Sequence, residues 1–173
     1  MTSMGKASVI EFYNFLAANR NATDSNAVQS WFASANDELT LPVGLYEFEG
    51  FVMWGGTGAA TTHTTSITFG GTATLATLGA FGEGSGKTAQ ATFTATNSSL
   101  GTLNATPSGV SVVATNTLEG GYIHLKGYFE VTVAGTVIPQ LTFSVAPGNT
   151  PIIRAGSFFK AWKLTTSPVG SWS

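Results

Sequence analysis

The sequence predicts a mainly β chain, an antiparallel sandwich, jelly roll or barrel, with a short helical segment at its N-terminus. Three observations predict it. After Asn36, apolar and polar residues alternate in run after run, which is the period of a strand with one packed face. Breaks such as Gly55-Gly56, Gly82 to Gly86, Asn97 to Ser99, Gly120-Gly121 and Pro147-Gly148-Asn149 separate these runs, and each carries turn chemistry. Finally, Thr is the commonest residue, beside 21 Gly, and a β-branched polar side chain suits a half-exposed pleated surface.

The helical segment comes first. Ser8 with Glu11 three residues later fits a capping box. Val9, Phe12, Tyr13 and Leu16 then recur at helical spacing, so Ser8 to Ala18 reads as a helix. Asn19 to Thr23 breaks it, and Asp24 can cap a second short turn with Val28, Trp31 and Phe32 on one face. Strands follow at Leu45–Trp54, Thr65–Leu78 (bent at Gly70-Gly71), Thr88–Thr96, Val110–Thr115, Tyr122–Val133, Thr136–Val145 and Ser157–Leu164. The clearest is Tyr122–Val133. Ile123, Leu125, Phe129, Val131 and Val133 share one parity, opposite Tyr122, His124, Lys126, Tyr128, Glu130 and Thr132. These readings divide the chain into a helical segment, residues 1–35, and a β domain, residues 36–173.

Composition excludes several functions. Charged residues make up 9% of the 173, with net charge −2, against about 25% in a typical soluble domain. The seven Lys and Arg are scattered and form no basic stripe to neutralise phosphates, which argues against nucleic acid as a partner. No apolar run approaches the roughly 20 residues that span a bilayer, so no membrane partner is expected. Glu11, Asn14 and Asn19 interrupt the N-terminal apolar stretch, unlike a secretory signal. There is no cysteine, hence no disulfide and no thiolate ligand. Low charge also leaves few Lys or inward-pointing charges to guard strand edges. Burial of edges and apolar faces against further copies is the expected remedy, which predicts an oligomer.

Several motifs are incomplete. Gly84-Ser85-Gly86-Lys87-Thr88 ends like a phosphate-binding loop, but Phe81 stands where the motif needs glycine, and a strand-like run follows. A hairpin turn is the better reading. His63 and His124, the two histidines, have no ligand spacing, and no G-x-S-x-G elbow presents a serine. Glu47 and Glu49 share a strand face, as a glycosidase pair could, though a solvated or interface-facing surface is the commoner fate of such a pair. No cofactor, metal or catalytic residue is therefore expected.

Longer stretches carry a resemblance. Val28–Trp54 (VQSWFASANDELTLPVGLYEFEGFVMW), His63–Leu75 (HTTSITFGGTATL) and Ile123–Leu164 resemble, in order, a recurrent domain of tailed-bacteriophage structural proteins. The elements are Tyr46-Glu47-Phe48-Glu49, His63-Thr64-Thr65, Phe69-Gly70-Gly71-Thr72-Ala73-Thr74, Gly135-Thr136-Val137-Ile138-Pro139-Gln140 and Gly156-Ser157-Phe158-Phe159. The resemblance spans roughly Val28 to Ser173. It implies a trimeric jelly roll of the tumour-necrosis-factor type, found on head decorations, head fibres and tail fibres, whose motif residues are structural.

The expected function is thus a capsid decoration, cement or head-fibre protein on the virion surface, made in the host cytoplasm and not an enzyme. Its expected partners are two further copies of itself and a major capsid protein or another virion structural protein. The apolar residues Val9, Phe12, Tyr13, Leu16, Trp31 and Phe32 are the expected anchor, because a wet apolar face of that size would be unexplained. The alternative is a tail-fibre or receptor-binding tip that stacks aromatics such as Trp54, Tyr122, Tyr128 and Trp162 on a host-surface glycan or binds a host-surface protein.

Overall fold

The computed structural model describes residues 11–32, 38–56, 63–87, 99–103, 110–116 and 120–164, with backbone alone at 64, 85–87, 99–103 and 110–116. Thirteen strands and no helix are present among them. In chain order they are β1 (Glu11–Phe15), β2 (Arg20–Asn21), β3 (Gln29–Ser30), β4 (Leu39–Leu41), β5 (Gly44–Gly55), β6 (His63–Gly70) and β7 (Thr74–Lys87). Then follow β8 (Ser99–Leu103), β9 (Val110–Asn116), β10 (Gly120–Val133), β11 (Gly135–Phe143), β12 (Ile152–Ile153) and β13 (Phe158–Lys163).

The strands form two antiparallel sheets. An eight-stranded sheet runs β1-β13-β5-β10-β7-β8, with β12 and β2 attached beside β5; a five-stranded sheet runs β3-β11-β6-β9, with β4 also on β11. Pairing is nested. The first strand pairs with the last (β1 with β13), β3 and β4 pair with β11, β5 with β10, and β6 with β9. The long β5–β10 ladder, from Gly120 opposite Gly55 to Val131 opposite Gly44, is the spine of the larger sheet. Strand alternation then decides which side chains meet between the sheets. Tyr46, Phe48, Val52 and Trp54 point inward from β5, and Ile123, Leu125, Phe129 and Val131 from β10. Opposite them lie Ile67, Val137, Leu141 and Phe143 of the smaller sheet. Phe69 joins the two layers, with ring centroids 5.3 Å from Phe48, 6.0 Å from Phe129 and 5.6 Å from Phe159. The result is a β-sandwich.

Two glycines have specific reasons. Gly50 faces inward on β5, and a Cβ there would meet Trp31 at 3.1 Å and Phe159 at 3.0 Å. Its missing side chain is the space that the Trp31 indole fills. Gly71 has φ +112°, and a Cβ would sit 2.1 Å from the Thr136 carbonyl oxygen. It lies where the chain leaves β6 in one sheet for β7 in the other, clamped by reciprocal 3.0 Å bonds between Thr72 and Thr136.

Several expectations are corrected. The expected helix, Ser8 to Ala18, is strand β1 over Glu11–Phe15, paired with β13 from Glu11 opposite Trp162 to Phe15 opposite Phe158. Residues 8–10 lie outside the described residues. Phe12 turns toward the core while Tyr13 and Phe15 turn outward, so the aromatics of EFYNF occupy both faces of a pleat, not one face of a helix. The second helical turn is β3 followed by bends, which sink Trp31 and Phe32 into the core. Residues 11–32 are therefore woven into the same two sheets as the rest. The single strand Thr65–Leu78 is two strands in different sheets. Gly82 to Gly86 and Gly120-Gly121 lie within ladders rather than turns. The expected strand Thr88–Thr96 lies outside the described residues.

Candidate functional site

The outer face of the larger sheet gathers most of the side chains that the core does not use. Register places them in rows across β1, β13, β5, β10 and β7. One row is Phe15, Phe158, Phe51, His124 and Glu83; the next is Tyr13, Lys160, Glu49, Lys126 and Phe81; the third is Glu11, Trp162, Glu47, Tyr128 and Gly79. Five strands, separated by four spacings of about 4.8 Å, make this face about 19 Å wide.

Its aromatic end is continuous. Ring centroids step 5.9 Å from Phe15 to Tyr13, 6.2 Å from Tyr13 to Phe158, 6.2 Å from Phe158 to Phe51 and 5.9 Å from Phe51 to Tyr122. Tyr13 is 55% and Phe15 53% exposed. Phe158, Phe51 and Tyr122 are half-buried.

Glu49 sits at the centre of the face. Lys160 Nζ donates to its Oε2 at 2.7 Å, Lys126 Nζ lies 3.3 Å from Oε1, and His124 Nε2 lies 2.8 Å from Oε1. The other imidazole nitrogen, Nδ1, faces Glu83 at 3.3 Å. The bond from Lys160 is the largest influence on the Glu49 carboxyl. With those from His124 and Lys126, and against the opposing effect of burial, it lowers the pKa to about 2. Glu49 in turn raises the Lys160 ammonium pKa, chiefly through the same bond. Lys160 Nζ also lies 5.7 Å from the ring centres of Phe158 and Trp162, within cation–π range. The carboxylate is thus a fixed anion under an aromatic rim. A glycosidase acid must hold a proton near neutral pH, and Glu49 does not.

Beyond Glu49, at the other end of the face from the aromatic strip, lies a cavity of about 400 Å³ lined by Leu45, Glu47, Lys126, Gly127, Tyr128 and Leu164. Trp162 Nε1 donates to Glu47 Oε2 at 3.0 Å beside it. The Tyr128 ring lies across Gly79, where a Cβ would meet it at 2.6 Å.

The residues expected to anchor the protein are dispersed. Trp31 and Phe32 are buried in the core, Phe12 and Leu16 pack against it, and Tyr13 stands on the outer face. Val9 lies outside the described residues. Among the aromatics considered for sugar stacking, Trp54 is buried in the core, Tyr122 and Trp162 are half-buried, and Tyr128 is exposed. His63 is buried and meets Phe143 edge-on at 5.3 Å. Gly84 to Lys87 lie in the β7–β10 ladder. The cluster around Glu49 was not anticipated as a unit. Its signals are the Glu-x-Glu of β5, the His-x-Lys of β10 and the Phe-x-Lys-x-Trp of β13, each on alternate positions. No protein-family model matches the chain, and no curated protein or solved structure shows significant similarity to it.

Proposed function

We propose that the protein is a structural component of a tailed-phage virion, a homotrimer on the particle surface built on a jelly roll of the tumour-necrosis-factor type. The jelly-roll reading is supported by the nested pairing. Such a fold is one long antiparallel hairpin wound into two sheets, so the first strand lies beside the last, the second beside the seventh, the third beside the sixth and the fourth beside the fifth. Counting β3 and β4 together as the second strand, the partners β1·β13, β3/β4·β11, β5·β10 and β6·β9 follow that order. The β7–β8 pair is an extension on the edge beside β10.

The observation that carries the function is the aromatic strip Tyr13, Phe15, Phe158, Phe51 and Tyr122. Closed cyclic assembly is the economical way to cover a face present once per chain, and a chain so poor in charge has little else to keep it soluble. The sequence resemblance supplies the particle and the number three. Anchoring through the N-terminal region then falls to residues before β1 and to Tyr13, since Trp31 and Phe32 serve the core.

Sedimentation equilibrium tests the assembly. A trimer of three 17.9 kDa chains has a mass of about 54 kDa, and a stable monomer at micromolar concentration would overturn the reading. Imaging of virions carrying labelled protein tests the placement. Labels studding the head support a decoration or head fibre, and a few labels at the tail end would reassign the chain to a tail-fibre tip.

A further inference from the structure

We infer that the cavity between Leu45, Glu47, Lys126, Tyr128 and Leu164 binds a neutral hexopyranose, the terminal sugar of a surface glycan. A pyranose has an apolar face of C–H bonds and a rim of hydroxyls that both donate and accept hydrogen bonds. The cavity offers partners for both. Tyr128 is 47% exposed, and one face of its ring lies against Gly79, where a Cβ would stand 2.6 Å from the ring. The ring is therefore held on its backbone support with the opposite face outward, a platform whose order is established before any ligand arrives. Leu45 and Leu164 extend the apolar wall.

The polar groups come as one acceptor and one donor. Glu47 lines the cavity while its Oε2 accepts from Trp162 Nε1 at 3.0 Å. That bond fixes the carboxylate and leaves Oε1 for a hydroxyl. The Lys126 side chain is 60% exposed and its ammonium has the Glu49 partner at 3.3 Å, so it can donate to a second hydroxyl without leaving an unpaired charge. One anion and one cation balance across the cavity. A phosphate would meet Glu47 and a cationic ligand would meet Lys126, so the site disfavours either charge. A volume of about 400 Å³ lies at the small end of ligand sites, sized for a single ring or its immediate neighbour rather than a long chain. The Glu47 row lies about 13 Å along the strands from the row of Phe15, Phe158 and Phe51; Tyr13 stands one row nearer, but on β1, three strands across the sheet from Tyr128 on β10.

The test is saturation-transfer NMR on the intact protein with four probes at millimolar concentration: the methyl glycosides of glucose, galactose and mannose, and N-acetylglucosamine. At least one is expected to receive saturation on its ring C–H protons. Tyr128→Ala should then lower its affinity at least tenfold, and Tyr128→Trp should retain it. Gly79→Ala, which displaces the ring without removing it, should weaken binding too. Phe15→Ala, in the aromatic strip, should disturb assembly and leave sugar binding intact. Transfer to none of the four probes, or binding unchanged in both Tyr128→Ala and Gly79→Ala, would overturn the inference. A trimer that binds no sugar defeats this site alone, whereas a sugar-binding monomer defeats the assembly reading alone.

Discussion

Glu49→Gln should remove much of the electrostatic organisation of the outer face while changing its shape very little. Glu49 is 18% exposed and holds two ammonium groups and an imidazole. Its carboxyl lies at about 2 against an ordinary 4.5. The depressed folded-state pKa means that the ionised form stabilises the fold above the unfolded value, and that this stabilisation is lost as pH falls toward 2. The depression from 4.5 to about 2 corresponds to about 3 kcal/mol at pH 7. By the same linkage it falls to less than half of that by pH 3 and is nearly gone at pH 2. Gln keeps an acceptor for Lys160 but no charge, so the variant should lose about 2–3 kcal/mol at pH 7. For a chain of this length each kcal/mol is about 2–4 °C in Tm, giving a drop of roughly 5–10 °C. The assay is thermal unfolding of wild type and variant at one protein concentration, from pH 7 to pH 2. The difference between them should shrink through the window from about 4.5 to 2. A difference that is absent at pH 7, or that persists undiminished at pH 2, would refute the electrostatic account.

Three further outcomes rest on other contacts. Ser157 is buried; its Oγ donates to the Arg154 carbonyl at 2.8 Å and accepts from the Met53 amide at 3.0 Å. Ser157→Ala should therefore cost about 1–3 kcal/mol in urea unfolding. Gly71→Ala places a Cβ against the Thr136 backbone at an unfavourable φ and should cost at least about 2 kcal/mol. Gly70→Ala meets the movable Gln140 amide first and should cost less, which the urea midpoints will show. Deleting residues 1–35 removes β1 to β3 together with Trp31 and Phe32. Losing a single buried Phe or Trp side chain costs about 3–5 kcal/mol, against a whole stability of about 5–15 kcal/mol. The truncated chain should thus lack a cooperative unfolding transition by circular dichroism.

The sequence was most legible where one strand face is packed and the other wet. Leu45–Trp54, Val110–Thr115, Tyr122–Val133, Thr136–Val145 and Ser157–Leu164 all coincide with strands to within two residues at every end. On β10 the buried set Ile123, Leu125, Phe129 and Val131 is the parity read from the pattern; Val133, at the strand's end, is exposed. Legibility failed where composition blurred the period. The segment EFYNF has aromatics on both sides of the pleat, so a helical spacing could be drawn through residues that a sheet needs on two faces. The Gly-rich run of β7 looked like turns, yet it continues because β10 supplies the ladder and the Tyr128 ring covers Gly79. The carboxylate pair of the site was visible as Glu47 and Glu49. Their partners were not, since Lys126, His124 and Lys160 come beside them only through two strand registers.

Placing an ionic cluster inside an aromatic face has a physical logic in so uncharged a chain. Aromatic contacts reward many orientations nearly equally, so a face of Tyr and Phe alone would associate without a defined register. Glu49, Lys126, Lys160 and His124 change that. Any partner that covers them must accept their desolvation, which is costly unless its own groups meet them in good geometry. Hydrophobic area then supplies the attraction, and the cluster rejects approaches that leave a charge unpaired. If the face is covered by further copies, as proposed, the same argument explains why the cluster is internally paired on the single chain. A lone carboxylate on this face would repel apolar partners, whereas one tied to two ammonium groups and an imidazole can be covered with far less loss. Neutralising Glu49 should accordingly widen the range of self-association rather than abolish it. Sedimentation velocity of Glu49→Gln should show a broad distribution of species where wild type gives one boundary. A single boundary at the wild-type mass would mean that the aromatic strip alone sets the register.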